Sequence, residues 1–449
     1  MLSLCILIVK KNVQNYKIMR NNKLYGKIGM IGILFFAVQS VWAFPATIED
    51  EIIDTINFNV FSGKVLDNKT GSSLPFATVE AVGSNIATVT NIDGNFIIKV
   101  PVESNVTQFK VSYLGYKNSM VPLEDFRKNR TLNIELEPTS IQLQAITIRP
   151  EDALNIIFDA LQKVGENYSI QPMMMRGFYR ETIIKNRNYV AISEALVDIY
   201  KAPYQNDFQV DQVKLFKGRK SADVDKMDTV LFKLRGGPNT TLLLDVVKNP
   251  YILLTDQYAS IYDFVLSDII SINDKLHYVV SFSQKKHISD PYYAGKFYVD
   301  MDALGISEVE FELNTENKEV ASRMFIQKKP FGMTVEPEKA VYKAKYNLTD
   351  NKWYFGYARA EVKFKVKWDK KLFNTTYTTM SEIAVTDRSY EGIEKFSSKE
   401  RFKSTDIMDE KVYIFFEPDF WGSYNVIEPD QSIESAINRL NRKYLRRNG

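Results

Sequence analysis

Few side chains in this sequence have the types and spacing that catalysis needs. A zinc hydrolase requires histidines and a carboxylate converging on one metal. The chain has two histidines, His277 and His287, ten residues apart, with no Glu at a local spacing that completes a ligand set. The same pair would have to supply the general base for a Ser or Thr nucleophile. No Gly-x-Ser-x-Gly elbow is present, and no Gly-rich phosphate loop leads into a helix. Asp223, Asp225 and Asp228 resemble a calcium loop in outline, but Met227 takes a ligand position and no Gly follows, so a polar loop is expected. Glu308, Glu310 and Glu312 alternate and would offer paired carboxylates for glycoside hydrolysis. Their spacing equally fits the solvated face of a half-covered sheet, which is the expectation here. The single cysteine, Cys5, lies in the leader described below, which removes disulfide, thiol-nucleophile and thiolate-metal chemistry. No enzyme is expected, and no catalytic residue, metal or cofactor is assigned.

What remains is binding. Trp353-Tyr354-Phe355-Gly356-Tyr357 and Phe420-Trp421-Gly422-Ser423-Tyr424 concentrate aromatic faces that could meet sugar rings or line an apolar cavity. Trp353 and Trp421 are the ligand-binding candidates, set against the plainer role of strand aromatics in a core.

Those residues must be positioned by a β-rich scaffold. Of 449 residues 13% are aromatic, mostly 28 Phe and 25 Tyr, which favour pleated, half-buried surfaces. Met19-Arg20-Asn21-Asn22-Lys23 with Lys27, the apolar stretch Ile28 to Val38, and Val41-Trp42-Ala43 form a secretory signal peptide over 1–43, cut before Phe44. Residues 1–18 read as an upstream extension, Met19 being the more normal start. The apolar run is shorter than the ~20 residues of a spanning helix. Residues 1–43 carry six basic groups and no acidic one, so cleavage takes the formal net charge from +3 to −3. A near-neutral chain with dispersed charge has no nucleic-acid footprint. No cysteine follows the cut, so an N-terminal lipid anchor is not expected. The address is exported: periplasm or outer-membrane associated.

After a 44–57 linker, short alternating strands separated by turns run from 58 to 137. Phe96, Ile98 and Val100 share a face, as do Leu132, Ile134 and Leu136, and Asp93-Gly94 supplies a tight hairpin turn. The pattern indicates a sandwich of roughly seven strands with Phe96, Ile98 and Val111 inward. Ser62-Gly63-Lys64-Val65, Leu74-Pro75-Phe76-Ala77-Thr78-Val79, Thr90-Asn91-Ile92-Asp93-Gly94-Asn95-Phe96 and Val111-Ser112-Tyr113-Leu114-Gly115-Tyr116 resemble the carboxypeptidase regulatory-like domain, with Asn91 where Asp is more usual. The resemblance implies a transthyretin-like sandwich common in Bacteroidetes envelope proteins, a folding or binding accessory without peptidase activity. A linker strand follows at 138–150, where Leu143 to Ile148 is similar to the segment trailing this domain in TonB-dependent nutrient receptors.

Residues 151–449 read as a curved antiparallel sheet, half-barrel-like, with a leading helix at 151–165 and a C-terminal helix at 431–446. The stripe Leu154, Ile157, Leu161 and Val164 is expected to close one face of the sheet, with Gly165 as the stop. Phe216 to Lys220, Arg235-Gly236-Gly237-Pro238, Tyr293 to Asp300 and Asp419 to Asn425 resemble the portion following the regulatory-like domain in Bacteroidetes envelope proteins; Arg219, Gly236, Gly237 and Pro238 are its signature residues here. More loosely, the strand ladder is similar to periplasmic lipoprotein carriers. The whole is mainly β: an Ig/transthyretin-like sandwich followed by a half-barrel-like sheet. The expected function is non-enzymatic binding or scaffolding in the cell envelope, for a periplasmic or outer-membrane protein, a glycan or a lipid-like group. Alternatives are a carbohydrate-binding accessory of TonB-dependent uptake and a hydrolase working through carboxylates. Two arrangements are open between sheet and helix: an apolar cleft edged by aromatics such as Trp353 and Trp421, which would be the binding place, or a fully packed core with no cleft.

Overall fold

A computed structural model describes residues 57–128, 131–139, 150–205, 209–222, 234–254, 260–272, 274–326, 331–369, 372–414 and 420–448. The signal peptide, nearly all of the 44–57 linker, Leu143 to Ile148 and the Asp223, Asp225 and Asp228 loop lie outside the described residues.

The first region is the expected sandwich. Strands β1 (Phe58–Asp67), β2 (Thr78–Ala81), β3 (Ala87–Val89), β4 (Asn95–Pro101), β5 (Gln108–Ser112), β6 (Ser119–Pro122) and β7 (Leu132–Leu136) form two sheets, with helix α1 (Leu123–Lys128) before β7. The sheets run β4-β1-β7 and β3-β2-β5-β6. Period-2 alternation turns Phe96, Ile98, Val111, Ile134 and Leu136 into the shared core, while Leu132 is half-buried at its edge. Phe126 of α1 meets Phe61 and Phe109 edge-on, with centroids 5.6 and 5.5 Å away. Gly94 sits at φ +80°, and a Cβ there would stand 2.8 Å from the Val65 carbonyl oxygen, so the Asp-Gly turn tolerates no side chain.

Helices α2 (Pro150–Gln162) and α3 (Val164–Asn167) lead into the second region. Its strands are β8 (Met173–Lys185), β9 (Asn188–Lys201), β10 (Gln212–Ala222), β11 (Tyr262–Ile272), β12 (Lys275–Gln284), β13 (Tyr293–Asp300), β14 (Ile306–Leu313), β15 (Met333–Thr349), β16 (Lys352–Trp368), β17 (Thr375–Ser389) and β18 (Tyr413–Ile414). They form one eleven-stranded sheet, β11-β12-β13-β14-β15-β16-β17-β8-β9-β10-β18, which does not close into a barrel. Every pairing is antiparallel except β10 with β18. Of the expected strand at Val412 to Phe416, Tyr413–Ile414 is a strand, and the last two residues lie outside the described set.

One face of this sheet, the inner one, carries a continuous apolar core that includes Ile157, Val197, Phe297, Phe325, Val362 and Ile383. Burying each such side chain is worth ~1.5–3 kcal/mol. The leading helix does not cover this face alone. It packs on β11 and β13, while α4 (Gly237–Leu242) lies on β16 and β17 and α5 (Lys318–Phe325) on β15. The reason is reach: thirteen residues rise only ~20 Å, about four strand spacings. The helix buries Ala153, Ile157 and Ala160, with Leu154, Leu161 and Val164 half-buried beside them. Gly165 does not stop it; the helix ends at Gln162 and Gly165 lies inside α3. Between them the Val213 carbonyl takes the Phe402 N–H, and α6 (Met408–Lys411) tucks Met408 into the same core. Helix α7 (Gln431–Asn448) is capped by Asp430, whose Oδ1 accepts from the Ile433 N–H at 2.8 Å. It lays Ile433, Ala436 and Leu440 on Ile192 of the opposite, outer face.

Candidate functional site

The outer face carries charge. Glu310 (β14), Lys343 (β15), Arg359 (β16), Glu382 (β17), Arg180 (β8), Glu194 (β9) and Arg219 (β10) are successive cross-strand partners, so seven strands place one row of ionised groups in register. Neighbours pair along it: Lys343–Glu310 at 2.6 Å, Arg359–Glu382 at 3.3 Å, Arg180–Glu382 at 3.2 Å, Arg180–Glu194 at 2.9 Å and Arg219–Glu194 at 2.8 Å. Like charges meet only at Lys343 and Arg359. There each cation takes a second carboxylate, Glu308 at 2.8 Å and Glu361 at 2.9 Å respectively. Burial opposes the charge on Arg180, yet Glu194 and Glu382 hold its pKa above the usual guanidinium value. Burial also works against the Glu194 carboxylate, and Arg180 and Arg219 still hold it below the usual range. Arg180 and Glu194 stay ionised because each is answered within hydrogen-bond distance. Glu308, expected on a solvated face, is instead 3% exposed, because that face has a cover of its own.

The sandwich and the C-terminal segment form the cover. Phe76 stacks on Tyr357 at 5.5 Å and lies 5.2 Å from the Arg359 guanidinium. Its φ is +63°, a conformation rare for a bulky residue, and its carbonyl accepts from Lys345 Nζ at 2.7 Å. Burial pushes Lys345 down to about 8. From the other side Asn425 accepts the Lys99 N–H at 2.7 Å and donates to the Lys99 carbonyl at 2.9 Å, so one side chain pairs with strand β4. Arg180 Nη2 donates to the Ile427 carbonyl at 2.7 Å, and the Gln431 N–H to Asp93 Oδ2 at 2.9 Å. Val89, Phe178, Leu196, Trp421 and Ile427 plug the space between with apolar side chains.

Where sandwich, sheet and C-terminal segment meet, a cleft of about 380 Å³ remains. Its walls hold Arg180, Arg187 and Arg359 against Glu361, Glu382 and Asp430, with hydroxyls from Thr182, Thr378 and Ser432 and the ring of Tyr189. Asn91 of the sandwich hairpin also lines it. Its Oδ1 holds the turn by accepting the Asp93 and Asn95 N–H groups at 3.0 and 2.9 Å, while the buried Nδ2 has no hydrogen-bond partner among the described residues.

The structure separates the sequence candidates. Trp353 is 1% exposed in the inner core, edge-on to His277, whereas Trp421 belongs to the plug on the outer face. The two therefore do not edge one cleft: they lie on opposite sides of the sheet, Trp353 in a packed core, and neither lines the cleft above. Arg219 does join Trp421, its guanidinium 5.0 Å from the indole, at the end of the charged row. Gly236, Gly237 and Pro238 lie on the inner side, where φ of +82° and +40° starts α4 with Pro at its first turn. His277 is fully buried and His287 exposed. Among the described residues no group of three or more His, Cys, Asp or Glu side chains could hold a metal, and no helix is long and apolar enough to cross a membrane. Sequence reasoning missed Asn91, Arg180, Arg187, Arg359, Glu382 and Asp430. A signal existed for Glu194, a lone charge inside Ala191-Ile192-Ser193-Glu194-Ala195-Leu196-Val197.

Residues 61–148 match the family model described as CarboxypepD_reg-like domain, so the sandwich carries that domain. A search among curated proteins gives no match. Among solved structures, a DUF1329 family protein from Desulfovibrio piger is similar at 11% identity over 56% of this chain and 96% of its own, with a TM-score of 0.24. Lipovitellin, from a structure of its lipid–protein interactions, is similar at 9% identity over 56% of this chain, which spans 28% of lipovitellin, with a TM-score of 0.26. At such scores neither likeness bears on function.

Proposed function

We propose that this chain is an exported, non-enzymatic binding module of the cell envelope, and that its ligand is a neutral, hydroxyl-rich group of glycan type held in the junction cleft. The observation that carries this reading is the lining. Its three arginines face three carboxylates, so the wall has no net charge to select an ion, and beside those groups it offers the hydroxyls of Thr182, Thr378 and Ser432 and an aromatic ring. Asn91, on the same wall, keeps an Nδ2 donor with no partner among the described residues, and the volume suits one or two sugar rings. The exported address rests on the basic, apolar and small-residue pattern of residues 19–43.

The test is a glycan array with the full chain, followed by calorimetry on any glycan retained. Asn91→Asp keeps the acceptor that holds the turn and replaces the free donor with an acceptor. We expect at least ~10-fold weaker binding, with an unchanged melting temperature. No retained glycan, or equal affinity of the variant, overturns the ligand assignment. Turnover of the bound glycan overturns the non-enzymatic half.

A further inference from the structure

We infer that one end of the large sheet is a docking tip for an anionic lipid surface. Three side chains there are exposed far beyond what an isolated domain needs: Phe331 at 104%, Leu372 at 90% and Phe373 at 79%. They come from two different turns that the sheet holds side by side. Met333 and Trp368 are cross-strand partners, and the Asp369 N–H donates to the Gly332 carbonyl at 3.0 Å, which ties the start of β15 to the β16–β17 connection. The β8–β9 turn joins the same end, since the Asn186 N–H donates to the Thr376 carbonyl at 2.7 Å. Three strand connections thus meet at one end of the sheet, and Phe331, Leu372 and Phe373 are exposed there.

The surrounding charge selects the partner. Lys185, Arg187, Lys365 and Lys367 stand at this end against Glu336 and Asp369, of which Glu336 is paired with Lys367 at 2.7 Å. Protein interfaces are depleted in lysine, and their apolar anchors fill pockets on a partner. Projecting Phe and Leu ringed by Lys and Arg instead suit a headgroup layer, in which the apolar tips enter the acyl boundary and the cations meet phosphate. An anionic bilayer surface fits both halves of the pattern. The glycan cleft opens beside this tip through Asn186 and Arg187, but the lipid contact does not depend on what the cleft holds.

Vesicle co-sedimentation tests this with phosphatidylcholine alone and with phosphatidylcholine containing a minority of anionic phosphatidylglycerol, whose surface attracts basic side chains. Full chains are compared at one length, so that residues 1–43 contribute equally throughout. The parent is expected to sediment with the anionic vesicles and to be released by high salt. Phe331→Ser, Leu372→Ser and Phe373→Ser combined should cut binding at least ~10-fold, and Lys365→Glu severalfold. Exposed positions tolerate serine, and unchanged near-ultraviolet circular dichroism would confirm that the variants fold. Equal sedimentation with neutral vesicles, or of the triple variant with anionic ones, overturns the inference. So does a lipid-free dimer that the triple variant abolishes, which would make the tip an interface between copies of this chain.

Discussion

The two faces of the eleven-stranded sheet are both covered, the outer one over part of its length, and by opposite means. On the inner face apolar side chains meet helices and the 390–408 connection, and one group of charges there forms a small island. Lys201 bridges Asp211 and Asp245 at 2.6 Å each, and Tyr204 and Tyr346 donate to Asp245 at 2.9 and 2.8 Å. On the outer face a row of seven charges runs across the sheet and is roofed by a second fold and the C-terminal segment. Apolar burial is non-directional and tolerates sliding, whereas ion pairs that are buried must meet in register. The inner face therefore supplies stability, and the outer face fixes where the sandwich sits and so shapes the cleft.

Removing the centre of the row should have the largest effect. Arg180→Met leaves Glu194 with Arg219 and Glu382 with Arg359 as their remaining cations in a covered site, takes the donor from the Ile427 carbonyl, and is expected to cost ~3–5 kcal/mol by chemical denaturation. Replacing Arg180, Glu194 and Glu382 together by apolar residues of similar volume should recover most of that loss while loosening the sandwich's placement. A cost for Arg180→Met below ~1 kcal/mol would mean that the row is solvated and the comparison fails.

The next effect has the opposite sign and tests the inner face. Glu181 follows Arg180 and so points inward, where Tyr179 donates to it at 2.7 Å. Burial pushes its carboxyl up to about 8 from an ordinary 4.5. A raised folded-state pKa contributes stability below pH 4.5 that is lost as pH rises towards 8. Glu181→Gln keeps the Tyr179 acceptor without the charge. The variant should exceed the parent by ~1–3 kcal/mol at pH 8 and match it below pH 4.5 in pH-resolved melts. A variant that is no more stable at pH 8 would show that this inner carboxyl reaches water.

The sandwich was readable because its signals are local: turn residues, period-2 strands and an Asp-Gly hairpin all act within a few positions. The large sheet was readable as a class for the same reason. The cleft was not. Arg180 meets Glu382 from 202 residues away, and the pairing of β8 with β17 that brings them together leaves no mark within either strand. Alternation of apolar and charged residues along β14 looks the same whether the charged side faces water or a second domain, which is why Glu308 was read as solvated. The tryptophans misled for a related reason. Strand position decides which face a ring takes, and Trp353 and Trp421 were joined only by residue type.

Whether cover, rather than charge, sets the value of these pairs can be settled on a single strand. Lys363 lies four residues beyond Arg359 on the same outer side of β16 and pairs with Glu338 at 3.0 Å, a distance as short as those in the row. The sandwich does not reach it, and the two side chains remain 48% and 32% exposed. Water and salt screen such a pair, so Lys363→Gln should change stability by less than ~0.5 kcal/mol and leave the melting temperature within error. Its small effect should fade further in high salt, while the Arg180→Met loss should not. If Lys363→Gln instead costs several kcal/mol, charge on this face is stabilising wherever it sits, and the sandwich is a passenger on the row rather than the reason it holds.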